Sequence, residues 1–502
     1  MKPVIVPFDK CKNFDDLLNG IENLFSDKSA LDLVGFIKIN DAVHLDKISG
    51  PELIRAIKRI ISEQGSDAGI FLDLKLADTS DTNANVVNRY QDLIDIVTVR
   101  ESVSAKGFLK LRQALPKTKI ALVSALTDTP ELECRKRNGM SPAMKIAVDI
   151  ANICSAYAEV REEKDALLPF DLVVCSPLEV NFLFNLCGDL FQFIVPGIRD
   201  SWMAEAVGQQ ARFTGIREAL NSGATYAVAG AQMTKGNPKA AEPVSAEQSR
   251  RLTFEEVGKS EYVAIDPSDP LATLIACNGF YESPKNEIGA YLGPLVAYAG
   301  KYDAGNGEQK NLVGFHYFNV AKAEERPLVR KVFAKLLAEK VKSTLADSPT
   351  LLLGMPMGGI VFTAALSTEL NLRLGFAEKK VKKLADPAAG IKEDSSLTAD
   401  RHDIRPGDKV IIVEDVCNNF STTEKAREMI KAKGGELIGI TCIVNRSPNE
   451  SWEDLPVISL IRKPTLQYRQ DSLEVVELVK ADKVAWKPKH EWPRLKEAME
   501  KK

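Results

Sequence analysis

The chain has 502 residues, above the ~250–300 at which one hydrophobic core usually divides, so two domains of similar size are expected. Its 66 Lys and Arg nearly balance 69 Asp and Glu, leaving a net charge of −3 that argues against a nucleic-acid partner or a membrane surface. Eight scattered cysteines without a CxxC pair, and four histidines without spaced partners, exclude a disulfide framework and a zinc site and suit a reduced, cytoplasmic setting. The opening MKPVIVPFDK is too short an apolar run for a signal peptide, and no stretch approaches the ~18–20 apolar residues of a membrane helix.

In chain order, the first half alternates short apolar runs with helical spacing. The runs are 4–8, 35–39, 70–76, 96–99, 120–126, 172–175, 193–195 and 226–228. Between them, FDDLLNGIENLF, ELIRAIKRIISEQ, AMKIAVDIANICSAYAE and LEVNFLFNLC carry apolar residues at helical intervals. Eight strands alternating with helices over ~250 residues predict a (β/α)8 TIM barrel, with a doubly wound open sheet as the competing arrangement. Residues 235–260 lose periodicity, which suggests the barrel's closing helix and a linker. The boundary is placed there: a barrel over 1–250 and a second domain over 251–502. In that second half AGKYDAGNGEQKN reads as loop or hairpin. PLVRKVFAKLLAEKVKSTL, GIVFTAALSTEL and TTEKAREMIKAKG read as helices, and TLLLGM, KVIIVED and LIGITCIVNR as strands. This is an α/β unit with a parallel sheet. The terminal WPRLKEAMEKK reads as a charged surface helix.

Charges recur where apolar strands end: Asp9 after VIVPF, Lys38 after GFI, Asp73 and Lys75 inside FLDLKLAD, and Asp78 just beyond. Strand alternation puts Asp73 and Lys75 on one face and Leu72, Leu74 and Leu76 on the other. Opposite charges on an otherwise core-like strand are costly to bury, which marks them as parts of a site. In a barrel all five would converge at one mouth. In the second half, KVIIVEDVCNNFSTTEKA gives a strand, two acids, a turn and a helix start. Glu414 and Asp415 suit ribose hydroxyls, and Ser421, Thr422 and Thr423 suit a phosphate at the helix N-terminus; a Ser/Thr cap after an ordinary strand is the plainer alternative.

The run DLKLADTSDT resembles the signature of the orotidine 5′-monophosphate decarboxylase family. VIVPFD, FIKIN, VSALTD, DLVVCSPLE and VPGIR followed by QQARF resemble its other segments in order. The resemblance implies a cofactor-free decarboxylase in which Lys38, Asp73, Lys75 and Asp78 form an alternating charge network, with Asp78 entering a partner subunit's site. It implies that Lys75 protonates the pyrimidine carbon, that Asp9 and Thr82 hold the ribose, and that Thr127 meets the ring. Pro196, Gln209, Arg212 and Gly230 fall on the phosphate side. The family ends its eighth strand with Gly-Arg; here Gly230 is followed by Ala231 and Gln232, so Arg199 or Lys235 is expected to supply the missing cation. A different phosphosugar lyase, with Mg2+ at the barrel mouth, remains the alternative on this half.

The run VIIVEDV resembles the phosphoribosyl-diphosphate (PRPP) signature of type I phosphoribosyltransferases. LLLGMPMGGIVFTAA, HYFNVAK and EKKVKK resemble the diphosphate turn, the substrate-side segment and the mobile basic loop of orotate phosphoribosyltransferase, with Lys379 and Lys382 in the loop's basic positions. The implied cofactor is Mg2+ with PRPP. The turn after the acids reads Cys417-Asn418-Asn419-Phe420, with Phe420 where glycine is favoured for close phosphate approach. Two readings stay open: an active transferase feeding the decarboxylase, converting orotate and PRPP to orotidine monophosphate and then UMP, or a non-catalytic half that binds nucleotides or builds oligomers. The decarboxylase resemblance implies a homodimer or higher homo-oligomer acting on small molecules only.

Overall fold

Eight parallel strands close on themselves because each has a neighbour on both sides. They are β1 (Val4–Pro7), β2 (Val34–Ile39), β3 (Gly69–Leu76), β4 (Ile96–Arg100), β5 (Lys119–Val123), β6 (Leu172–Val174), β7 (Gln192–Pro196) and β8 (Tyr226–Val228). They pair in sequence order, and β1 returns to β8 through Val4↔Ala227 and Ile5↔Val228. The computed structural model describes residues 2–40, 48–162, 167–203, 213–305, 307–383 and 394–500. The chain divides into two compact units, Met1–Ala264 and Ile265–Lys502.

The barrel interior is filled, not open. Ile5, Phe71, Ile96, Ala121, Leu172, Ile194 and Tyr226 form its apolar layer, with Phe36 edge-on to Tyr226 at 5.2 Å between ring centroids. Side chains two positions further along a strand point the same way. Phe36, Phe71 and Ile96 therefore place Lys38, Asp73 and Thr98 one layer higher, at the C-terminal mouth. The sequence reading placed the boundary at 250/251. The helix Ala246–Gly258 instead packs on the barrel helices Lys28–Leu33, Ile216–Asn221 and Ala231–Thr234. Arg250 fixes it through Asp27 at 2.5 Å and the Met233 carbonyl at 3.1 Å.

The second unit opens with β9 (Phe280–Glu282), β10 (Leu295–Asp303), β11 (Gln309–Gly314) and β12 (His316–Phe318). AGKYDAGNGEQKN is the β10–β11 hairpin, and β9 pairs antiparallel with β12. The remaining strands are β13 (Leu351–Gly354), β14 (Arg373–Phe376), β15 (Glu378–Lys383), β16 (Asp394–Thr398), β17 (Lys409–Cys417), β18 (Glu436–Asn445), β19 (Ser451–Trp452), β20 (Leu455–Arg462) and β21 (Val484–Ala485). Six of them form a sheet in the order β14-β13-β17-β18-β20-β19, parallel except for the edge strand β19. Alternate residues Leu351 and Leu353, Val410 and Ile412, and Ile440 and Cys442 face one core, which the helix Ser421–Ala432 covers with Ala426 and Ile430. The opposite face is equally buried at Leu352, Ile411 and Ile443, as expected of a parallel sheet covered on both sides. The terminal helix Trp492–Glu500 is not purely a surface element, because Leu495 is fully buried against Tyr281 and Ala485.

Candidate functional sites

At the barrel mouth the strand-end charges meet in a chain. Lys38 Nζ lies 2.6 Å from Asp9 Oδ2 and 3.0 Å from Asp73 Oδ2, and Lys75 Nζ lies 2.8 Å from that same Asp73 oxygen. Thr98 donates its hydroxyl to Asp73 Oδ1 at 2.9 Å. Burial alone would push the Asp73 carboxyl up, but the Lys38 and Lys75 cations outweigh it and hold the carboxyl below its ordinary value. Burial likewise opposes the Lys38 cation, and Asp73 and Asp9 together overcome it and raise its pKa. Both groups are therefore charged at neutral pH.

Lys75 departs from plain strand geometry. Its φ is 50°, in the left-handed region, and the β3–β4 register shifts between Leu72 and Leu76. Its backbone N–H donates to Thr98 Oγ1 at 2.8 Å, so one threonine holds both members of the Asp73–Lys75 pair. Strained backbone of this kind gathers at functional sites.

The chain of charges borders a cavity of about 900 Å3, lined also by Thr127, Pro196, Arg199, Gly230, Ala231 and Lys235. Asp78 and Thr82 do not line it. Both are exposed beyond the end of β3, with Asp78 Oδ1 accepting the Thr79 N–H and Thr82 Oγ1 lying 3.0 Å from Thr79 Oγ1. Gln209 and Arg212 lie outside the described residues. Gln232 also borders the cavity, but it is buried and its amide is engaged, donating to Asp200 Oδ2 at 2.6 Å and Thr253 Oγ1 at 2.9 Å. Thr98 was missed in the sequence; its only signal is a hydroxyl two positions after Ile96 in an apolar strand.

In the second unit, Glu414 and Asp415 sit near the end of β17, ahead of the turn that leads into the helix Ser421–Ala432. Burial, then the neighbouring Asp415, pushes Glu414 up to about 8, and burial also raises Asp415. The turn after β13 presses on them: a Cβ added at Gly358 would lie 2.2 Å from the Asp415 carboxyl carbon. Glu324, unremarked in the sequence, is pushed up to about 7 by burial and by Asp415. Arg446, at the end of β18, was also missed. It stacks on Tyr298 at 3.9 Å and donates to Thr465 at 2.9 Å, and its signal was a charge closing the apolar run IVNR.

The Phe420 difficulty resolves in the backbone. Phe420 adopts φ 56°, the conformation glycine favours, while its ring turns into the core against Trp452 at 6.2 Å. The residue ahead of the helix, Phe420, offers no side-chain cap; the Ser421 N–H and hydroxyl instead donate to Asn419 Oδ1 at 3.4 and 3.1 Å, and Thr422 follows in the first turn. EKKVKK is not a loop in its described part: it forms β15, paired antiparallel with β16. Lys379 is exposed there, and the Lys382 side chain lies outside what is described. Among the described residues no group of three or more His, Cys, Asp or Glu could hold a metal. Two adjacent half-buried acids suit an ion whose remaining oxygen ligands come with a phosphorylated substrate.

A filled (β/α)8 barrel with paired lysines and aspartates at its C-terminal mouth, joined to a parallel α/β unit with acids before a helix N-terminus, defines a chain of two enzyme folds. The profile of the orotidine 5′-phosphate decarboxylase / HUMPS family matches residues 28–244, and that of the phosphoribosyl transferase domain matches residues 321–463. Orotidine 5′-phosphate decarboxylase of Staphylococcus haemolyticus (strain JCSC1435) is 34% identical over 209 residues, 40% of this chain and 82% of its own. Orotate phosphoribosyltransferase of Caldanaerobacter subterraneus subsp. tengcongensis is 27% identical over 156 residues, 31% of this chain and 74% of its own. A solved UMP synthase of Leishmania donovani aligns over 98% of this chain and 95% of its own, at 14% identity and a TM-score of 0.39. The chain belongs to the orotidine 5′-phosphate decarboxylase family through its first unit, and its second unit carries a phosphoribosyltransferase domain. Among the described residues no helix is long and apolar enough to cross a membrane.

Proposed function

We propose that the chain makes UMP in two steps. The second unit joins orotate to PRPP, and the barrel decarboxylates the resulting orotidine 5′-monophosphate. The observation that carries this reading is the Asp9–Lys38–Asp73–Lys75 chain bordering the cavity. Loss of carbon dioxide leaves a carbanion on the pyrimidine ring. An ammonium held beside that carbon stabilises charge that appears only in the transition state, then delivers the proton. Asp73 and Lys38 keep the Lys75 amine in place, Asp9 takes a ribose hydroxyl, and Thr127 meets the ring. Arg199 and Lys235 take the phosphate where Ala231 offers no cation. Asp78 and Thr82, exposed and away from this cavity, act in the site of a second copy, which makes the enzyme a homodimer or larger assembly in the cytoplasm.

In the second unit Glu414 and Asp415 receive the ribose hydroxyls, and the helix start at Ser421 and Thr422 receives the 5-phosphate, which takes the place of Asn419 Oδ1 at Ser421. Lys379 and Lys382 approach the diphosphate. Glu414 and Asp415 would hold a Mg2+ ion arriving with PRPP, and that ion would supply positive charge for the leaving diphosphate. The non-catalytic alternative rested on Phe420, and the inward turn of its ring removes that objection. An ultraviolet assay tests the two halves separately. Orotidine monophosphate should be consumed at full rate in EDTA, and orotate with PRPP should release diphosphate only with Mg2+. Barrel activity abolished by EDTA would instead favour a metal-dependent phosphosugar lyase. An absence of diphosphate release would leave the second unit non-catalytic.

A further inference from the structure

The charges that line the barrel cavity are unevenly distributed. At one pole Lys38 and Lys75 are matched by Asp9 and Asp73. At the other, Lys10, Lys12 and Lys235 face, among the described lining residues, a single further carboxylate, Asp16. Asp16 already accepts the backbone N–H of Lys12 at 2.9 Å. Among the described residues the side-chain amines of Lys10, Lys12 and Lys235 make no hydrogen bond or ion pair.

Topology brings these lysines together. β1 pairs with β8, so the loop after β1 and the turn after β8 are neighbours on the rim. A Cβ added at Gly230 would lie 3.4 Å from Pro7 Cγ, and the helix Phe14–Phe25 packs against Ala231–Thr234. Lys235 lies four residues after Ala231, on the same side of that turn. Cations that no carboxylate among the described residues pairs, held at the edge of a cavity, concentrate the field for an anion.

We propose that Lys10 and Lys12 complete, with Lys235, a three-lysine rim that recognises the 5′-phosphate dianion of the nucleotide. The proposal rests on the decarboxylase reading and assigns the phosphate a contact from β1 in addition to β7 and β8. The rim selects phosphorylated ligands over nucleosides, because its lysines add binding only where a phosphate is present.

The test is competitive inhibition of orotidine monophosphate turnover by UMP and by uridine in the full chain. It compares wild type, the double variant Lys10→Ala/Lys12→Ala, and the charge-keeping Lys10→Arg/Lys12→Arg. The alanine variant should raise the UMP inhibition constant about tenfold, as expected for two exposed charge contacts, and leave that of uridine unchanged. The arginine variant should stay near wild type, and the Michaelis constant of the alanine variant should depend less steeply on salt. An unmoved UMP constant, or equal weakening of UMP and uridine, overturns the rim. A wild-type enzyme that never turns over orotidine monophosphate removes the decarboxylase reading, and the rim with it.

Discussion

Replacing Asp73 by Asn keeps the side chain's shape and removes its charge. In the wild-type site Lys38 and Lys75 bind the same Asp73 oxygen, at 3.0 and 2.8 Å. An amide there either offers its N–H2 to two ammonium groups or turns and gives up the Thr98 contact at 2.9 Å. Removing one partner of a buried ion pair costs ~3–5 kcal/mol. Lys38 keeps Asp9 at 2.6 Å and the Lys75 side chain is 41% exposed, so a loss of ~2–3 kcal/mol is expected. In a unit of this size that lowers the barrel's thermal midpoint by roughly 5–10 °C. Turnover of orotidine monophosphate should fall about 100-fold or more, since Lys75 loses the anion that aims it.

The pH dependence has a definite sign. Asp73 is depressed in the folded state, so its contribution is present above the unfolded carboxyl value of ~3.9 and is lost as pH falls through its folded value. Lys38 is raised, so its contribution is full below the unfolded lysine value of ~10.4 and is lost only above that. The stability gap between wild type and Asp73→Asn should therefore hold from pH 5 to 9 and close as the pH drops below ~3.9. Thermal melts across pH, with initial rates by ultraviolet absorbance, read both effects. A variant with wild-type turnover and an unchanged melting point would refute the reasoning.

Phe420→Ala should destabilise the second unit by ~3 kcal/mol, because it empties a core position against Trp452. Phe420→Gly should be ~1 kcal/mol less damaging than Ala, because glycine relieves the left-handed backbone at φ 56°, and chemical denaturation can rank the two. Gly358→Ala should abolish diphosphate release while sparing decarboxylation, since its Cβ would displace Asp415; paired assays on one preparation check this. Glu414, pushed up to about 8 by burial, holds a proton in the folded state that the unfolded chain has lost. The stability of the second unit should therefore fall as pH rises from ~4.3 to about 8, and Glu414→Gln should flatten that slope in urea titrations.

All eight barrel strands were legible because each is a short apolar run between helical segments. The Asp73–Lys75 pair was legible because opposite charges inside the apolar run FLDLKLAD are costly to bury. The way the pair meets was not: simple alternation assumes regular β3 geometry, whereas Lys75 sits at φ 50° beside a register shift and depends on Thr98. Gln232 illustrates a second limit. The sequence shows only that it follows Ala231 after Gly230; its engagement with Asp200 and with Thr253 of the helix Ala246–Gly258 comes from packing that no local pattern encodes. Phe420 looked wrong because residue identity was weighed without the direction of its side chain. EKKVKK read as a loop because its pairing partner, β16, lies beyond a run with no strand signal. Glu324 comes to Asp415 by tertiary packing, which no local pattern encodes.

Kinetics of Lys75→Ala bear most directly on the central idea that a fixed amine at this position makes carbon–carbon cleavage possible. With 41% of its side chain exposed, Lys75 contributes little to folding, so the melting point should move by no more than a few degrees. The catalytic constant for orotidine monophosphate should drop at least ~10⁴-fold, because both the proton donor and the charge opposite the carbanion are gone. A folded Lys75→Ala enzyme that releases carbon dioxide at the wild-type rate would contradict the assignment.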